Sequence, residues 1–239
     1  MKARLLIYVS LILLSITVFN LSSCGNSDEK ASAELAPNSS EIIQLPEPQY
    51  DSEISLEESL LNRRSTRSYS DEPVTLQEVS QLLWAAQGIT DASGLRTAPS
   101  AVALYPLNIY IVVGNVPEIV RGVYIYVPED LSIKRLLNGD IRGALADAAM
   151  GQASVRQGAV SFVVTVDYGK MTAQFADKGE RFGTLEAGHA AQNLCLQSTA
   201  LGLGLVTAGA IYDDQVANVL DLPDNFTPLY VIPVGRKLE

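Results

Sequence analysis

Three arginines fall within five residues in the run Asn62-Arg63-Arg64-Ser65-Thr66-Arg67-Ser68-Tyr69, on a chain with 27 Asp and Glu against 17 Lys and Arg. Guanidinium groups present paired N–H donors in a planar fork. Arg63, Arg64 and Arg67, with the Ser65 hydroxyl, can therefore hold a dianionic phosphate through charge-assisted, partly bidentate hydrogen bonds. A solvated basic turn has the same composition, so both readings stay open. The second stretch able to serve chemistry is Thr207-Ala208-Gly209, small residues whose backbone can be presented to a flat cofactor, or which simply continue a buried strand. Cys195 is either a nucleophile or a small buried apolar residue, and nothing in the sequence pairs it with a base. The single histidine, His189, cannot build a His-rich metal site or a His–Cys dyad unaided, so no metal centre is expected. There is no Walker motif and no GxGxxG fingerprint. Chemistry in such a chain is expected to belong to a bound cofactor.

Positioning these residues requires a framework, and the longest signal is Arg181 to Ile211. Ala190, Ala191, Leu194, Cys195, Ser198 and Leu201 recur at helical spacing, and a short buried strand should follow. Gly202 and Gly204 are expected to end the helix, since glycine enters the left-handed region at little steric cost. Gly188, Ala190 and Ala191 would let a second helix approach closely. Leu56, Leu60 and Leu61 mark a short helix running into the arginine cluster. Thr75-Leu76-Gln77-Glu78 is a capping box opening a helix through Gln87, with Val79, Leu82, Leu83 and Ala86 on its buried face and Gly88 as its stop. Small residues from Leu95 to Pro106 lead into a strand over Leu107 to Val113. Further strands are expected over Gly122 to Val127, Gly158 to Asp167 and Thr227 to Val234, and a small-residue helix over Asp140 to Gln152. Val127 to Arg142 reads as a lid and Lys170 to Gly183 as a loop. Strands and helices do not alternate regularly, which favours an α+β fold over a doubly wound sheet.

At 239 residues and 47% hydrophobic, the chain can bury a sizeable core in one domain. Its net charge of −10 excludes a general nucleic-acid binder, which needs a basic face. The first residues carry an address. Lys2 and Arg4 precede an apolar stretch from Leu5 to Leu21, then Leu21-Ser22-Ser23-Cys24. This resembles a bacterial lipobox, so residues 1–23 are expected to be a lipoprotein signal peptide and Cys24 the lipidated N-terminus. The mature chain then carries 15 basic and 27 acidic residues, a net −12. Residues 24–55, rich in Ser, Asn, Glu and Pro, are expected to be a flexible tether, with the folded domain spanning 56–239. With one cysteine acylated and one buried, no disulfide is expected despite an extracytoplasmic address on the cell envelope.

Taken in order, these motifs resemble the nitroreductase-like flavoprotein family, and within it the SagB-type dehydrogenase (azoline oxidase-like) branch. The elements are Arg63-Arg64-Ser65-Thr66-Arg67, Leu83-Trp84-Ala85-Ala86-Gln87-Gly88-Ile89-Thr90, Ala98-Pro99-Ser100 before Tyr105-Pro106-Leu107, and Gly122-Val123-Tyr124-Ile125-Tyr126. Glu186-Ala187-Gly188-His189-Ala190-Ala191-Gln192-Asn193, Gly202-Leu203-Gly204 and Pro233-Val234-Gly235-Arg236 complete them. The resemblance implies an α+β fold with an antiparallel-dominated central sheet flanked by helices. It also implies a homodimer formed through the long helix, and one FMN at each subunit junction. By that analogy Arg63, Arg64, Ser65 and Arg67 hold the phosphate and ribityl chain, and Arg236 adds to the phosphate site. Pro99, Ser100 and Ala101 come from the other subunit. Gln152 supplies an amide to the ring, and Thr207, Ala208 and Gly209 line it with a backbone N–H toward N5. The implied function is an FMN-dependent oxidoreductase acting on a small-molecule substrate. The alternative is a non-catalytic lipoprotein that keeps the fold as a binding module. One departure bears on the branch: Thr172 to Lys178 lacks the Lys-Tyr pair of its azoline oxidases, leaving Lys178 or Tyr168 as substitutes. An exported flavoprotein without a dinucleotide fingerprint is further expected to draw electrons from a donor other than free NAD(P)H.

Overall fold

The computed structural model describes residues 41–238. The signal segment and Cys24 lie outside the described residues. The strands are β1 (Ile42–Gln44), β2 (Leu107–Val113), β3 (Gly122–Val127), β4 (Ser132–Asn138), β5 (Val160–Asp167), β6 (Leu203–Leu205) and β7 (Phe226–Arg236). The helices are α1 (Leu56–Asn62), α2 (Leu76–Gln87), α3 (Arg142–Ala148), α4 (Ala153–Gln157), α5 (Tyr168–Phe175), α6 (Gly179–Ala200) and α7 (Asp213–Leu220). The strands form one seven-stranded sheet in the order β1-β4-β3-β2-β5-β7-β6, and every pairing in it is antiparallel.

Alternation along β2 shows why helices cover both faces. Ile109, Ile111 and Val113 join the core cluster that includes Val79, Leu82 and Leu83 of α2 and Ala187, Ala190 and Leu194 of α6. Tyr110 and Val112 join the cluster formed with Leu145 of α3, Val155 of α4 and Val216 and Leu220 of α7. Because both faces are covered, β5 reads as an almost continuous apolar run, with Val160 to Val166 all buried. Each such Val or Leu contributes roughly 1.5–3 kcal/mol of burial.

The expected α+β class and antiparallel sheet are both present. The Thr75/Glu78 capping box opens α2 as expected, with reciprocal side-chain and backbone bonds, and Gly88 is its C-cap. Several boundaries differ. The tether does not extend to residue 55: Ile42–Gln44 pairs with β4, Leu45 is buried, and Gln49 and Gln81 exchange two hydrogen bonds at 2.7 and 2.9 Å. Ile42 and Leu45, among the few apolar residues of a Pro- and Glu-rich stretch, therefore belong to the folded part. The lid contains β4, the loop after Lys170 is mostly helical, and α6 starts at Gly179. The helix expected over Asp140 to Gln152 is only α3, Arg142–Ala148; Met150 and Gly151 take positive φ after it, and a separate short helix, α4, follows from Ala153. Gly202 ends α6 in the left-handed conformation, at φ +72, whereas Gly204 sits inside β6 and serves another purpose.

Candidate functional site

The arginine segment leaves α1 and runs along the end of the sheet. The Thr66 N–H donates to the Leu205 carbonyl at 2.8 Å and the Ser70 N–H to the Arg236 carbonyl at 3.0 Å. Ser65 bridges Leu205 in parallel, and Tyr69 bridges Lys237. So close an approach needs glycine beneath it. A Cβ on Gly204 would lie 2.7 Å from Thr66 Cγ2, and one on Gly235 would lie 2.8 Å from the Tyr69 ring. Tyr69 pins the segment from below, its Oη 2.8 Å from the Thr66 carbonyl and 3.0 Å from that of Pro233. Burial raises its phenol pKa well above the usual range, although Arg67 partly opposes this, so the hydroxyl remains a donor.

Pairing separates these arginines from six of the other seven described, Arg181 on α6 being the exception. Arg96, Arg121, Arg135, Arg142, Arg156 and Arg236 each hold a carboxylate. Arg63, Arg64 and Arg67 have none among the described residues and, unlike the equally unpaired Arg181, stand together as a cluster. Arg64 folds back, its Nη1 donating to the Leu61 and Arg63 carbonyls at 2.9 and 2.8 Å and so serving the end of α1. Arg63 and Arg67 remain free for a ligand. Arg236, expected to add to the phosphate site, instead grips Glu78 bidentately at 2.7 and 2.9 Å and donates to the Pro73 carbonyl. It locks β7 to the first turn of α2.

Two residues beyond Leu205 the chain reaches Thr207-Ala208-Gly209. Ala208 exchanges both backbone bonds with Val231 at 3.0 Å, so its N–H is occupied. Antiparallel pairing turns the flanking groups the other way, and the N–H groups of Thr207 and Gly209 have no partner among the described residues. Gln152 lies beside them, its Nε2 donating to the Ala210 carbonyl at 3.1 Å. One edge of the chain thus combines two free guanidinium groups, two free backbone donors and a side-chain amide. That set suits a ligand with a phosphate at one end and a flat hydrogen-bonding ring at the other, and FMN fits it.

Pro99, Ser100 and Ala101 are not brought to this edge. Ser100 Oγ accepts from the Tyr105 N–H at 2.8 Å and lies near Glu186 on α6. Arg63 acts electrostatically on Cys195, roughly 13 Å further along the same helix at 1.5 Å per residue. The loop carries strain: Val102, Ala103 and Tyr105 have φ of 48, 54 and 47. Such conformations cost about 1–3 kcal/mol each and tend to mark segments shaped for contact.

Cys195 is buried, and desolvation pushes its thiol pKa up despite Arg63, so it behaves as a small core residue. His189 is exposed. The expected close-approach face of α6 also differs from expectation: Ala190 and Ala191 point into the core. The open face presents Leu185, His189 and Gln192 around Gly188, where a Cβ would meet nothing within 4 Å. Glu186 escaped the sequence reading. It is 2% exposed, neither carboxylate oxygen has a partner among the described residues, and burial raises its pKa to about 7, with Ser100, Arg96 and Lys170 holding it back. The signal was present, since Glu186 stands four residues before Ala190 on the buried stripe.

Comparison with known proteins agrees with this geometry. The model of the Nitroreductase family matches residues 60–236. A nitroreductase-type protein of Methanocaldococcus jannaschii is 43% identical over 197 residues, covering 82% of this chain and 97% of its own length. The FMN reductase (NADPH) of Bacillus subtilis is 26% identical over 184 residues, which are 75% of this chain and 64% of that longer protein. Among solved structures, a nitroreductase-type protein from Ralstonia eutropha superposes with a TM-score of 0.73 at 29% identity, over 86% of this chain and 94% of its own.

Proposed function

The chain belongs to the nitroreductase family and is a flavin-dependent oxidoreductase, and from that premise we propose that its flavin is FMN, bound with the phosphate on Arg63 and Arg67. The observation that carries this reading is the carboxylate-free pair of arginines held against β6, next to the free Thr207 and Gly209 N–H groups. When bound, FMN supplies the hydride chemistry through its isoalloxazine ring. The protein's part is to hold the phosphate, direct the Thr207 and Gly209 donors and the Gln152 amide at the ring edge, and keep water away. None of these tasks needs a catalytic triad, in keeping with a buried Cys195 and an exposed His189.

The working form is a homodimer in which Pro99, Ser100 and Ala101 approach the partner's flavin. The open face of α6 supports this, as do Leu56, Leu60 and Leu61 on α1, which are 59%, 54% and 70% exposed. The substrate is a small molecule oxidised or reduced over the ring. The ordered motifs favour the SagB-type branch, but peptide azoline oxidation is not assigned. Tyr168 Oη is 2.9 Å from Thr184 Oγ1, and Lys178 is exposed beside the start of α6.

The protein is exported and anchored to the envelope through Cys24. Cys24→Ser should leave it unprocessed or release it from membranes; a variant processed and retained normally contradicts this. Among the described residues no helix is long and apolar enough to cross a membrane. The B. subtilis relative is named for NADPH, whereas an exported flavin would take electrons from substrate, a quinone or a partner protein. The purified protein should be yellow, release FMN on denaturation, and bleach on anaerobic reduction. A colourless protein that takes up no FMN at micromolar concentration contradicts the proposal.

A further inference from the structure

Glu186 and Arg96 each keep a buried group that nothing answers. Both carboxylate oxygens of Glu186 and the Nε of Arg96 are shut off from solvent and lack a hydrogen-bond partner among the described residues. The two residues stand close enough for the Arg96 charge to act on the Glu186 carboxyl, as the Ser100 hydroxyl and the Lys170 charge also do. An acceptor without a donor thus sits beside a donor without an acceptor, an ion pair left unmade. Burial disfavours the carboxylate and raises its pKa to about 7, so the neutral acid suits the arrangement described.

No other ionisable side chain near α6 supplies the missing partner. α2 carries only Glu78, which Arg236 grips, and β5 only Asp167, which caps α5 and holds Asn225. β6 carries none, Tyr110 of β2 belongs to the opposite face of the sheet, and Tyr230 of β7 lies against Gly209. Tyr168 of α5 bonds Thr184. Glu57 and Glu58 of α1, Asp177 and Lys178 after α5, and Glu180, Arg181 and His189 of α6 are exposed. Cys195 stands more than two helical turns away.

The three groups that act on Glu186 are also the ones that hold Tyr105. Ser100 Oγ accepts from the Tyr105 N–H at 2.8 Å, and Lys170 Nζ donates to the Tyr105 carbonyl at 3.3 Å. The Arg96 N–H donates to Tyr105 Oη at 3.0 Å, and its guanidinium sits 4.7 Å from the Tyr105 ring centre. Tyr105 closes the turn in which three residues without the freedom of glycine take positive φ. One of them, Val102, is β-branched, the kind of residue that resists this conformation most. A turn of that kind persists only while its surroundings over-determine it.

We propose that Glu186 is a proton-operated latch on the turn 100–105. While the carboxyl keeps its proton, Ser100, Arg96 and Lys170 hold Tyr105 as described. When the proton passes to water, the carboxylate draws the Ser100 hydroxyl and Arg96 Nε to itself, and the turn lets go of Tyr105. Each arrangement satisfies one set of groups and leaves another short, which gives the turn two states for a proton to choose between. The held state belongs to acid pH and the released state to pH above about 7. The latch is a property of the chain alone and needs no ligand.

Hydrogen–deuterium exchange of the full chain in detergent tests this, at about pH 5.5 and about pH 8.5, on either side of the Glu186 transition. Rates are corrected for the intrinsic pH dependence of exchange. Over residues 100–105 the corrected rate should rise at least about fivefold at the higher pH, with β5 and α2 unchanged. Glu186→Gln keeps the shape but cannot ionise, so its turn should exchange slowly at both values. Ser100→Ala removes the acceptor of the Tyr105 N–H and should exchange fast at both. No rise in the wild type, a rise that survives Glu186→Gln or Ser100→Ala, or a rise shared equally by β5 and α2 would overturn the proposal.

Discussion

Arg63 and Arg67 can act on a ligand because nothing in the fold neutralises them, while Arg236, of the same type, is fully engaged by Glu78. The sequence made the cluster visible because three like charges stood close together on an acidic chain. The partner of Arg236 lies 158 positions away and left no local mark. Glu186 shows the converse, a carboxyl whose surroundings decide its charge. Burial raises its pKa from 4.5 to about 7, so the folded state holds its proton more tightly than the unfolded chain does. The contribution to stability is therefore intact below about pH 4.5 and is lost progressively as pH rises through about 7. Glu186→Gln should leave stability near pH 4.5 almost unchanged and raise it at pH 8 by on the order of 1–3 kcal/mol. Urea unfolding of both proteins from pH 4.5 to 8 measures the difference. Parallel curves would mean that the carboxyl is not buried alone.

At the level of elements, the strongest local signals were read correctly. The capping box of α2 and the runs of β2 and β3 carry their own start signals, periodicity and stops. What escaped depends on distant partners. β1 is three residues in a polar stretch and exists because β4 offers an edge, while β4 itself, Ser132-Ile133-Lys134-Arg135-Leu136-Leu137-Asn138, alternates only weakly. Gly204 was legible as a glycine and misread as a helix stop, because its reason is Thr66 lying above it. Gly204→Ala should lower stability by about 1–3 kcal/mol through overpacking and, by lifting the arginine segment off β6, weaken FMN binding as well. Thermal unfolding and FMN titration of this variant test the coupling. A loss of stability with FMN affinity unchanged would detach the segment's seat from the site.

The whole molecule poses the question of completeness. One chain brings Arg63 and Arg67 to the same edge as the Thr207 and Gly209 N–H groups but sets Ser100 near Glu186, on another part of α6. It also leaves the Leu185, Gly188 and His189 face and the α1 leucines uncovered. The folded domain from Glu41 onward should therefore sediment as a dimer when loaded with flavin; a stable flavin-loaded monomer would contradict a site completed in trans. The sequence could suggest this arrangement only through resemblance, because a surface that closes on a second copy has no periodicity of its own. The central claim, that Arg63 and Arg67 receive the phosphate of FMN, is tested most directly by titrating FMN and riboflavin, which differ by that phosphate alone. The wild type should prefer FMN by roughly a hundredfold, given about 1.5–3 kcal/mol per charged hydrogen bond. Arg63→Ala and Arg67→Ala should each remove about tenfold or more of that preference, while Arg236→Ala keeps it. Equal affinity for the two flavins in the wild type, or an unchanged preference in both arginine variants, would contradict it.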